Sequence, residues 1–270
     1  MNFQYLKDKY NIYPHILGYN YFNELEPKDL SSYDVVFIES DIPMPLKSPI
    51  PLVFHTHAMK GDGMITWLNQ DLSYINAFNP LPYRTLPTVG FVGRIPIFKG
   101  KGLHRGFENR YQACEILGQS LCVGTDFHVI TEPIGESCSF YNSMSSEYKH
   151  KTKYLLESTM LSNHYNLCPR GNGNRSLRHF ETLAYGRIPI YFNEGYVFPV
   201  INKDKFYYKL NKCSVYSPNV KNIEQDILAF HNIYDYDIEL LQHMTRNLYD
   251  GYFTSQAQTD YCEQIIKERI

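Results

Sequence analysis

The feature that most constrains the fold is an alternation of short apolar runs with longer helical patterns, which recurs along the 270-residue chain. Apolar runs of four to six residues bounded by turn residues are typical of buried strands. Strands that alternate with helical patterns indicate parallel sheets with crossover helices, because parallel neighbours need a long connection. The sequence therefore predicts an α/β fold, and residues 34–38 and 51–54 are its first strands.

A cluster of prolines at residues 78–87 interrupts this alternation, as a linker would. We therefore predict an N-terminal α/β domain at residues 1–86, a second one at 87–254 and a final crossover helix at 255–270. Two such halves place a cleft between the carboxyl ends of their sheets, where open α/β sheets bind ligands. The predicted elements of the second domain are strands at 88–93, 121–123, 165–168 and 188–192, helices at 107–119, 145–162 and 176–185, and two helical segments between 223 and 249.

Composition excludes several classes of partner. The net charge is −2 and the sequence pI is about 6.5, so no global basic field attracts nucleic acid or an anionic membrane. No stretch is apolar over the roughly 20 residues that a membrane span needs, and residues 1–9 lack the apolar core of a signal peptide. We expect a cytoplasmic protein, from a bacterium or from the host cytoplasm if the chain is viral.

Metal binding is not expected. The six cysteines are scattered without paired spacing and are typical of reduced thiols. Asp235 and Asp237 flank a tyrosine as in a metal-binding DxD motif, but helix-capping carboxylates explain the pair better. The sequence therefore predicts no metal site.

The most informative segment is NLCPRGNGNRSLRHFETLAYGRIPI, residues 166–190. A buried strand ends at Cys168, a loop with glycines and arginines follows, and Ser176 can cap the next helix, which Gly186 ends. A helix N-terminus beside arginines favours a diphosphate, and Glu181, one turn after Arg178, can accept hydrogen bonds from ribose hydroxyls. The alternative is a solvated basic loop with Arg178 and Glu181 as a surface ion pair.

Residues 163–199 resemble the exostosin-like glycosyltransferases of family 47, especially the short forms without a membrane anchor. Their motif is close to S-x-Y-x-L-C-P-R-G-x-G-N-x-S-x-R-x-Y/F-E-T-L-A-x-G-R-I-P-V, and nearly every position is matched here. Phe198 and Pro199 match the Leu-Pro or Phe-Pro pair that follows the motif. Residues 89–93 and Arg110 also resemble the first strand and helix of the family's donor-binding domain. The resemblance covers residues 88–200 well and the N-terminal third loosely.

The resemblance implies a GT-B fold, in which two Rossmann-like domains face a cleft and the last helix crosses back to the N-terminal domain. It also implies inversion at the anomeric carbon with no obligatory metal or other cofactor. Carried over by position, the donor-binding residues are Gly93, Arg94, Arg170, Gly171, Asn174, Ser176, Arg178 and Glu181. The final helix would bury a stripe formed by Ala257, Tyr261 and Ile265.

An inverting transferase needs a base that takes the proton from the acceptor hydroxyl. In GT-B enzymes the base usually comes from the N-terminal domain, where the resemblance carries over no residue. Glu39 and Asp41 follow a predicted strand at its carboxyl end, and Asp62 follows the next strand in the same sense. We predict Glu39 as the first candidate base, then Asp41 and Asp62, against the alternative that each is an ordinary loop carboxylate.

The predicted function is an inverting, metal-independent transfer of a sugar from a UDP-sugar to a hydroxyl of a glycan or glycoconjugate. Xylose is the favoured donor sugar, because the chain is short and has few insertions to enclose a larger one. One alternative is a nucleotide-sugar or glycan binding module that has lost turnover. Another is a phosphate-binding regulator with no role in sugar chemistry.

Overall fold

The structure is a computed structural model of the chain. It describes residues 1–14, 17–18, 30, 32–39, 52–55, 65–66, 68, 72, 75, 78–95, 97–98, 102–103, 107–130, 146–170, 176–192, 196–235 and 237–270. Across these residues the helices are α1 (Phe3–Lys9), α2 (Glu108–Gly118), α3 (Ser146–Ser162), α4 (Leu177–Ala184), α5 (Lys203–Lys212), α6 (Ile223–Ile233), α7 (Ile238–Tyr252) and α8 (Ser255–Arg269).

The first sheet is parallel, and its strands lie side by side in chain order. Its strands in the described part of the chain are β1 (Leu17–Gly18), β2 (Val35–Glu39), β3 (Leu52–His55) and β4 (Ile65–Thr66). Residues 35–38 of β2 are all buried, as expected for a parallel strand covered on both faces. Phe37 stacks on Phe54 of β3 with ring centroids 4.6 Å apart. These apolar runs form the core of the first unit, by which we mean the part of the molecule built around this sheet. The second unit is the part built around the second sheet.

The second sheet is also parallel, and the segment with the informative motif supplies two of its described strands. Its described strands are β5 (Thr88–Arg94), β8 (Gly124–Ile130), β9 (Tyr165–Leu167), β10 (Ile188–Tyr191) and β11 (Val215–Tyr216), and β6 (Ile97–Phe98) with β7 (Gly102–Leu103) forms a separate antiparallel pair. The spatial order of the sheet is β11-β10-β9-β5-β8. The chain therefore leaves β5 towards β8 on one side and then returns to β9 on the other.

This order has a topological switch point between β5 and β9. Counted along the chain within this sheet, the order is 2-1-3-4-5, which is one of the common doubly wound arrangements. In such sheets, ligands bind outside the carboxyl ends of the two strands at which the winding direction reverses. The carboxyl ends concerned are residues 92–94 of β5 and residues 167–170 after β9.

Two predicted elements differ from the observed ones. The strand predicted at residues 121–123 is β8 at residues 124–130, and residues 121–123 form a bend before it. Ser176 takes the N-cap position of α4 but makes no side-chain capping hydrogen bond. The predicted end of that helix is confirmed: Gly186 has φ +64°, and the Arg187 N–H donates to the Thr182 carbonyl at 2.8 Å.

Residues 78–87, where the prolines cluster, lie against α7 of the second unit. Gln242 donates from Nε2 to the Leu81 carbonyl at 2.8 Å and accepts from the Leu81 N–H at 2.9 Å. The buried Arg187 guanidinium donates to the Asn79 carbonyl at 2.9 Å and also to Gln242 Oε1. The segment is thus attached by buried polar groups, although its prolines are typical of a linker.

Two buried histidines attach the same segment further along. His164 Nε2 lies 2.8 Å from the Pro82 carbonyl oxygen, and His231 Nε2 lies 2.8 Å from the Arg84 carbonyl oxygen. Each is a hydrogen bond in which the imidazole N–H donates. Residues 78–87 therefore belong physically to the second unit, while the predicted domain boundaries at 86 and 254 stay predictions.

The helix α8 packs on the first unit, as the sequence predicts. Its Tyr261, Cys262 and Ile266 are buried in one cluster with Leu6 of α1 and with Phe37. Glu263 accepts from the Tyr5 hydroxyl at 3.0 Å and pairs with Lys9, so polar contacts accompany the apolar ones. The last helix thus closes the core of the first sheet.

The buried face of α8 differs by about one residue from the predicted stripe. Tyr261 is buried, but Ala257 and Ile265 are half-buried, and Cys262 and Ile266 take the core positions instead. Gln258 explains the rotation, because this buried residue accepts from the Leu68 N–H at 3.2 Å and donates to the Pro199 carbonyl at 3.0 Å. The helix turns this amide, rather than Ala257, towards the interior.

Two parallel α/β sheets and a last helix that returns to the first one confirm the predicted fold class, and they are the parts that the resemblance implies for a GT-B fold. In the part of the chain that the structure describes, no helix combines the length and the apolar character that a membrane span needs.

Candidate functional site

The candidate site lies at the switch point of the second sheet, where the carboxyl ends of β5 and β9 meet the first turn of α4. The helix α4 is buried almost all round, which fixes its N-terminal turn against the ends of the two strands. Val92 is the last fully buried residue of β5, and Gly93 and Arg94 follow it towards the carboxyl edge. The strands and the helix thus bring separate parts of the sequence to one edge.

Arg178 joins α4 to β5. Its guanidinium donates to the Val92 carbonyl twice, from Nε at 3.1 Å and from Nη2 at 2.9 Å, and Nη1 pairs with Glu181. The pair is not on the surface, because the side chains of Arg178 and Glu181 are only 20% and 7% exposed. The alternative of a solvated surface pair is therefore wrong for these two residues.

Arg110 of α2 joins the two strand ends to each other. Its Nη1 donates to the Arg94 carbonyl at 2.5 Å and its Nη2 to the Arg170 carbonyl at 3.0 Å. Arg94, Arg170 and Arg178 are all half-buried. Water screens partly buried charges less than exposed ones, so charged groups here interact more strongly than they would on the open surface.

His179 is hydrogen-bonded to the backbone at Cys168, where the loop with the arginines begins. Its Nε2–H donates to the Cys168 carbonyl at 2.8 Å, and its ring packs on Tyr191 with centroids 4.9 Å apart. Burial lowers the pKa of His179 to about 4, so the ring is neutral near pH 7. A neutral histidine that donates one hydrogen bond fixes the backbone at the end of β9 without adding charge.

The structure brings together a subset of the predicted site residues. Gly93, Arg94, Arg170, Ser176, Arg178 and Glu181 belong to the strand ends, loop and helix that meet at the switch point. Gly171 and Asn174 lie outside the described residues, as do the predicted base candidates Asp41 and Asp62. Glu39 is the last residue of β2, at the carboxyl end of a strand in the first sheet, as the sequence predicts.

Sequence reasoning missed the roles of Arg110 and His179. Only the resemblance points to Arg110, although it precedes the buried Ala113 and Leu117 by three and seven residues. That spacing puts a charged side chain on the buried face of a helix, which is a signal for a functional or structural role. His179 has no comparable signal, because a histidine inside an apolar helix is common.

Comparisons with known proteins give weak likenesses only. No protein-family model matches the chain, and no curated protein matches it. Among solved structures, a glycosyltransferase from Rickettsia africae matches with a TM-score of 0.47 and 12% identity, over 86% of this chain and 70% of that one.

Two further structures are of the same kind. The C-terminal domain of a group 1 family glycosyl transferase (LpcC) from Francisella tularensis matches with a TM-score of 0.33 and 15% identity, over 67% of this chain and 95% of that one. TarM matches with a TM-score of 0.44 and 11% identity, over 86% of this chain and 54% of that one. The chain is similar to these proteins in fold at most, and its candidate site rests on the geometry described above.

Proposed function

We propose that this chain is an inverting, metal-independent glycosyltransferase that moves a sugar from a UDP-sugar to a hydroxyl of a glycan. One observation carries the proposal: the arginines and Glu181 of the family-like motif meet at the topological switch point of the second sheet. The motif is a property of the sequence, whereas the switch point is a property of the strand order. Two independent arguments thus point to the same edge of the molecule.

The site has the groups that a nucleoside diphosphate needs. Arg94, Arg170 and Arg178 supply positive charge for the diphosphate, and the start of α4 adds backbone N–H groups and the positive end of a helix dipole. Glu181, held by Arg178, offers carboxylate oxygens that accept hydrogen bonds from vicinal ribose hydroxyls. Ser176, whose side chain makes no capping hydrogen bond, lies at the same helix start.

The chemical step follows from this placement. The acceptor oxygen attacks the anomeric carbon from the face opposite the diphosphate, the new glycosidic bond forms, and the bond to the phosphate oxygen breaks with its electron pair. The negative charge that develops on the leaving UDP is stabilised by the arginines, and a carboxylate takes the acceptor proton. Glu39, at the carboxyl end of β2, is the first candidate for that base.

The test measures release of free UDP from a panel of UDP-sugars, beginning with UDP-xylose, with and without a chelator. We expect slow hydrolysis of one UDP-sugar without acceptor, unchanged by the chelator, and faster release with a suitable glycan. A rise in melting temperature with a UDP-sugar but no UDP release would favour the binding module instead. An equal rise with inorganic pyrophosphate and UDP, again without UDP release, would favour the phosphate-binding regulator.

A matched pair of arginine variants locates the activity. Arg178→Met removes the guanidinium at the switch point and should weaken UDP binding about ten-fold or more, the value of one charged hydrogen bond. Arg246→Met removes a guanidinium that also donates to backbone carbonyls, those of Ile75 and Ala184, but belongs to α7. Equal UDP affinity in Arg178→Met and in the parent would show that the donor does not bind at this edge of the sheet.

A further inference from the structure

Arg110 donates to the backbone of two chain segments that are far apart in sequence. Its guanidinium holds the carbonyl of Arg94, which ends β5, and the carbonyl of Arg170, which follows β9. These are the two strand ends that flank the switch point. The planar guanidinium presents its N–H groups in a fixed fork, so one side chain sets the relative position of both peptide groups.

Aromatic rings hold the Arg110 guanidinium itself in place. Its central carbon lies 4.8 Å from the ring centroid of Phe107 and 5.5 Å from that of Phe91. A Cβ at position 93 would lie 2.6 Å from Cζ of Phe91, so Gly93 leaves the ring the space that it occupies. Arg110 is 9% exposed, so the motion of its side chain is correspondingly restricted.

We propose that Arg110 is a positioning residue for nucleotide binding, and this inference rests on the proposed function. Its side chain fixes the backbone from which Arg94 and Arg170 project, and these two residues are assigned to the diphosphate. A site that is held in its binding geometry beforehand loses less conformational entropy when the ligand binds. Loss of the fork therefore weakens recognition of the diphosphate much more than recognition of the nucleoside.

The experiment compares the dissociation constants of UDP and of uridine in the parent and in Arg110→Lys and Arg110→Met. UDP is followed by calorimetry and uridine by ligand-observed NMR. We expect the UDP constant to rise about ten-fold or more in Arg110→Met and less in Arg110→Lys. The uridine constant should stay within about two-fold of the parent value, because the nucleoside carries no phosphate.

Arg246→Lys and Arg246→Met are the matched controls. Arg246 also donates to two backbone carbonyls and lies over an aromatic ring, that of Tyr249, at 5.5 Å. Its loss should lower the melting temperature without changing the ratio of the UDP and uridine constants. A merely structural role for Arg110 would give the same result as this control, and would overturn the proposal.

Two other results are distinguishable. If the parent binds UDP and the folded Arg110 variants bind it within two-fold of the parent, the positioning role is wrong while the proposed function stands. If the parent binds neither UDP nor a UDP-sugar, the proposed function fails and the inference fails with it. If Arg110→Met does not fold, Arg110→Lys decides, since it keeps the positive charge and most of the side-chain volume: a rise of more than about two-fold in the UDP constant alone supports the positioning role, and a smaller one overturns it.

Discussion

Arg178 and Glu181 form a partly buried ion pair, and under the proposed function this pair is what the ribose of a nucleotide would contact. The carboxylate is 7% exposed and held by a guanidinium that also donates to the Val92 carbonyl. Removing one partner of a buried pair leaves the other charge uncompensated, so neither residue is replaceable without cost. A ribose bound to Glu181 would meet an acceptor that is already oriented.

Glu181→Gln tests this role at the ribose. The amide keeps the shape of the side chain but presents one acceptor oxygen instead of two. We expect the parent to bind UDP about ten-fold more tightly than 2′-deoxy-UDP, and the variant to prefer UDP only about two-fold. Competition calorimetry with the two nucleotides measures the difference.

Glu263→Gln is the control for that experiment. Glu263 is also an ion-paired carboxylate, with Lys9 and Lys267, but it belongs to α8 on the first unit. It should leave the preference for UDP unchanged. If Glu181→Gln also keeps the preference of the parent, Glu181 does not contact the ribose.

Buried neutral histidines make stability depend on pH. Burial lowers the pKa of both His164 and His179 to about 4, below the value near 6.5 of an exposed histidine. Between pH 6.5 and 4 the unfolded chain therefore binds more protons than the folded one. The stabilisation is complete above pH 6.5 and is lost as the pH falls towards 4.

For each of these histidines, we predict that the free energy of unfolding falls by about 2 kcal/mol between pH 7.5 and pH 5. Urea denaturation at several pH values in this range measures it. The Glu263 carboxyl, whose pKa is lowered to about 2 by hydrogen bonds from Lys267 and Lys9, loses its contribution only below about pH 4.5 and does not interfere. His164→Gln should reduce the pH dependence and the exposed His150→Gln should keep it; the reverse result would contradict the assignment.

Among the secondary-structure elements, the segment at residues 78–87 departs most from its sequence signal. Its backbone is hydrogen-bonded by Gln242, Arg187, His164 and His231, at sequence separations from 82 to 161 residues. The buried side chains of Gln242 and Arg187 thus donate to backbone carbonyls of a segment whose own residues are mostly exposed. The segment is a structural part of the second unit.

Gln242→Ala should destabilise the protein by about 2–4 kcal/mol. The substitution leaves the Leu81 N–H and carbonyl without their buried partner and removes an acceptor of Arg187. Thermal or urea denaturation measures the change. Gln256→Ala, at an exposed position of α8, is the control and should change stability by less than about 0.5 kcal/mol. Equal effects of the two substitutions would show that the segment is not held by Gln242.

The elements that the sequence predicts well are those with local signals. The strand ends at β5 and β9 follow from apolar runs bounded by polar or glycine residues, and Gly186 marks the end of α4 by its positive φ. The sequence predicts the strand β8 a few residues too early, because Asp126 and His128 interrupt its apolar pattern. His128 pairs with Asp126, and Asp126 also accepts a hydrogen bond from Asn163. That last contact spans 37 residues, so no local pattern reveals it.

The candidate site was predictable in part for the same reason. Arg170, Arg178, Glu181 and the start of α4 lie within one short segment, so their chemistry could be predicted from spacing. The switch point depends on strand order, which is a property of the whole sheet. Arg110 acts on carbonyls 16 and 60 residues away, and backbone acceptors carry no sequence signature.

On the scale of the whole molecule, the first unit is formed by two distant parts of the sequence, the N-terminal residues and the last helix. The Asn2 N–H donates to Thr259 Oγ1 at 2.7 Å, and α8 supplies buried side chains to the core of the first sheet. Most of the second unit lies between these two parts in sequence. The stability of the first unit therefore depends on α8.

Ile266→Ala should destabilise the protein by about 3 kcal/mol, because Ile266 is fully buried in that core. Ile265→Ala is the matched control, since the neighbouring residue is half-buried and should cost about 1 kcal/mol. Urea denaturation of both variants measures the two values. A larger loss of stability in Ile265→Ala than in Ile266→Ala would show that α8 buries the predicted stripe rather than the observed face.

The closing of the first core by α8 also has a consequence in time. About 190 residues separate the end of β4 from the start of α8, so the ribosome makes almost the whole second unit before the missing side of the first core exists. At roughly 5–20 residues per second, this takes about 10 to 40 s. During synthesis the first sheet exposes the apolar surface around Phe37 and Phe54, and the second unit, although translated later, is the first that can finish folding.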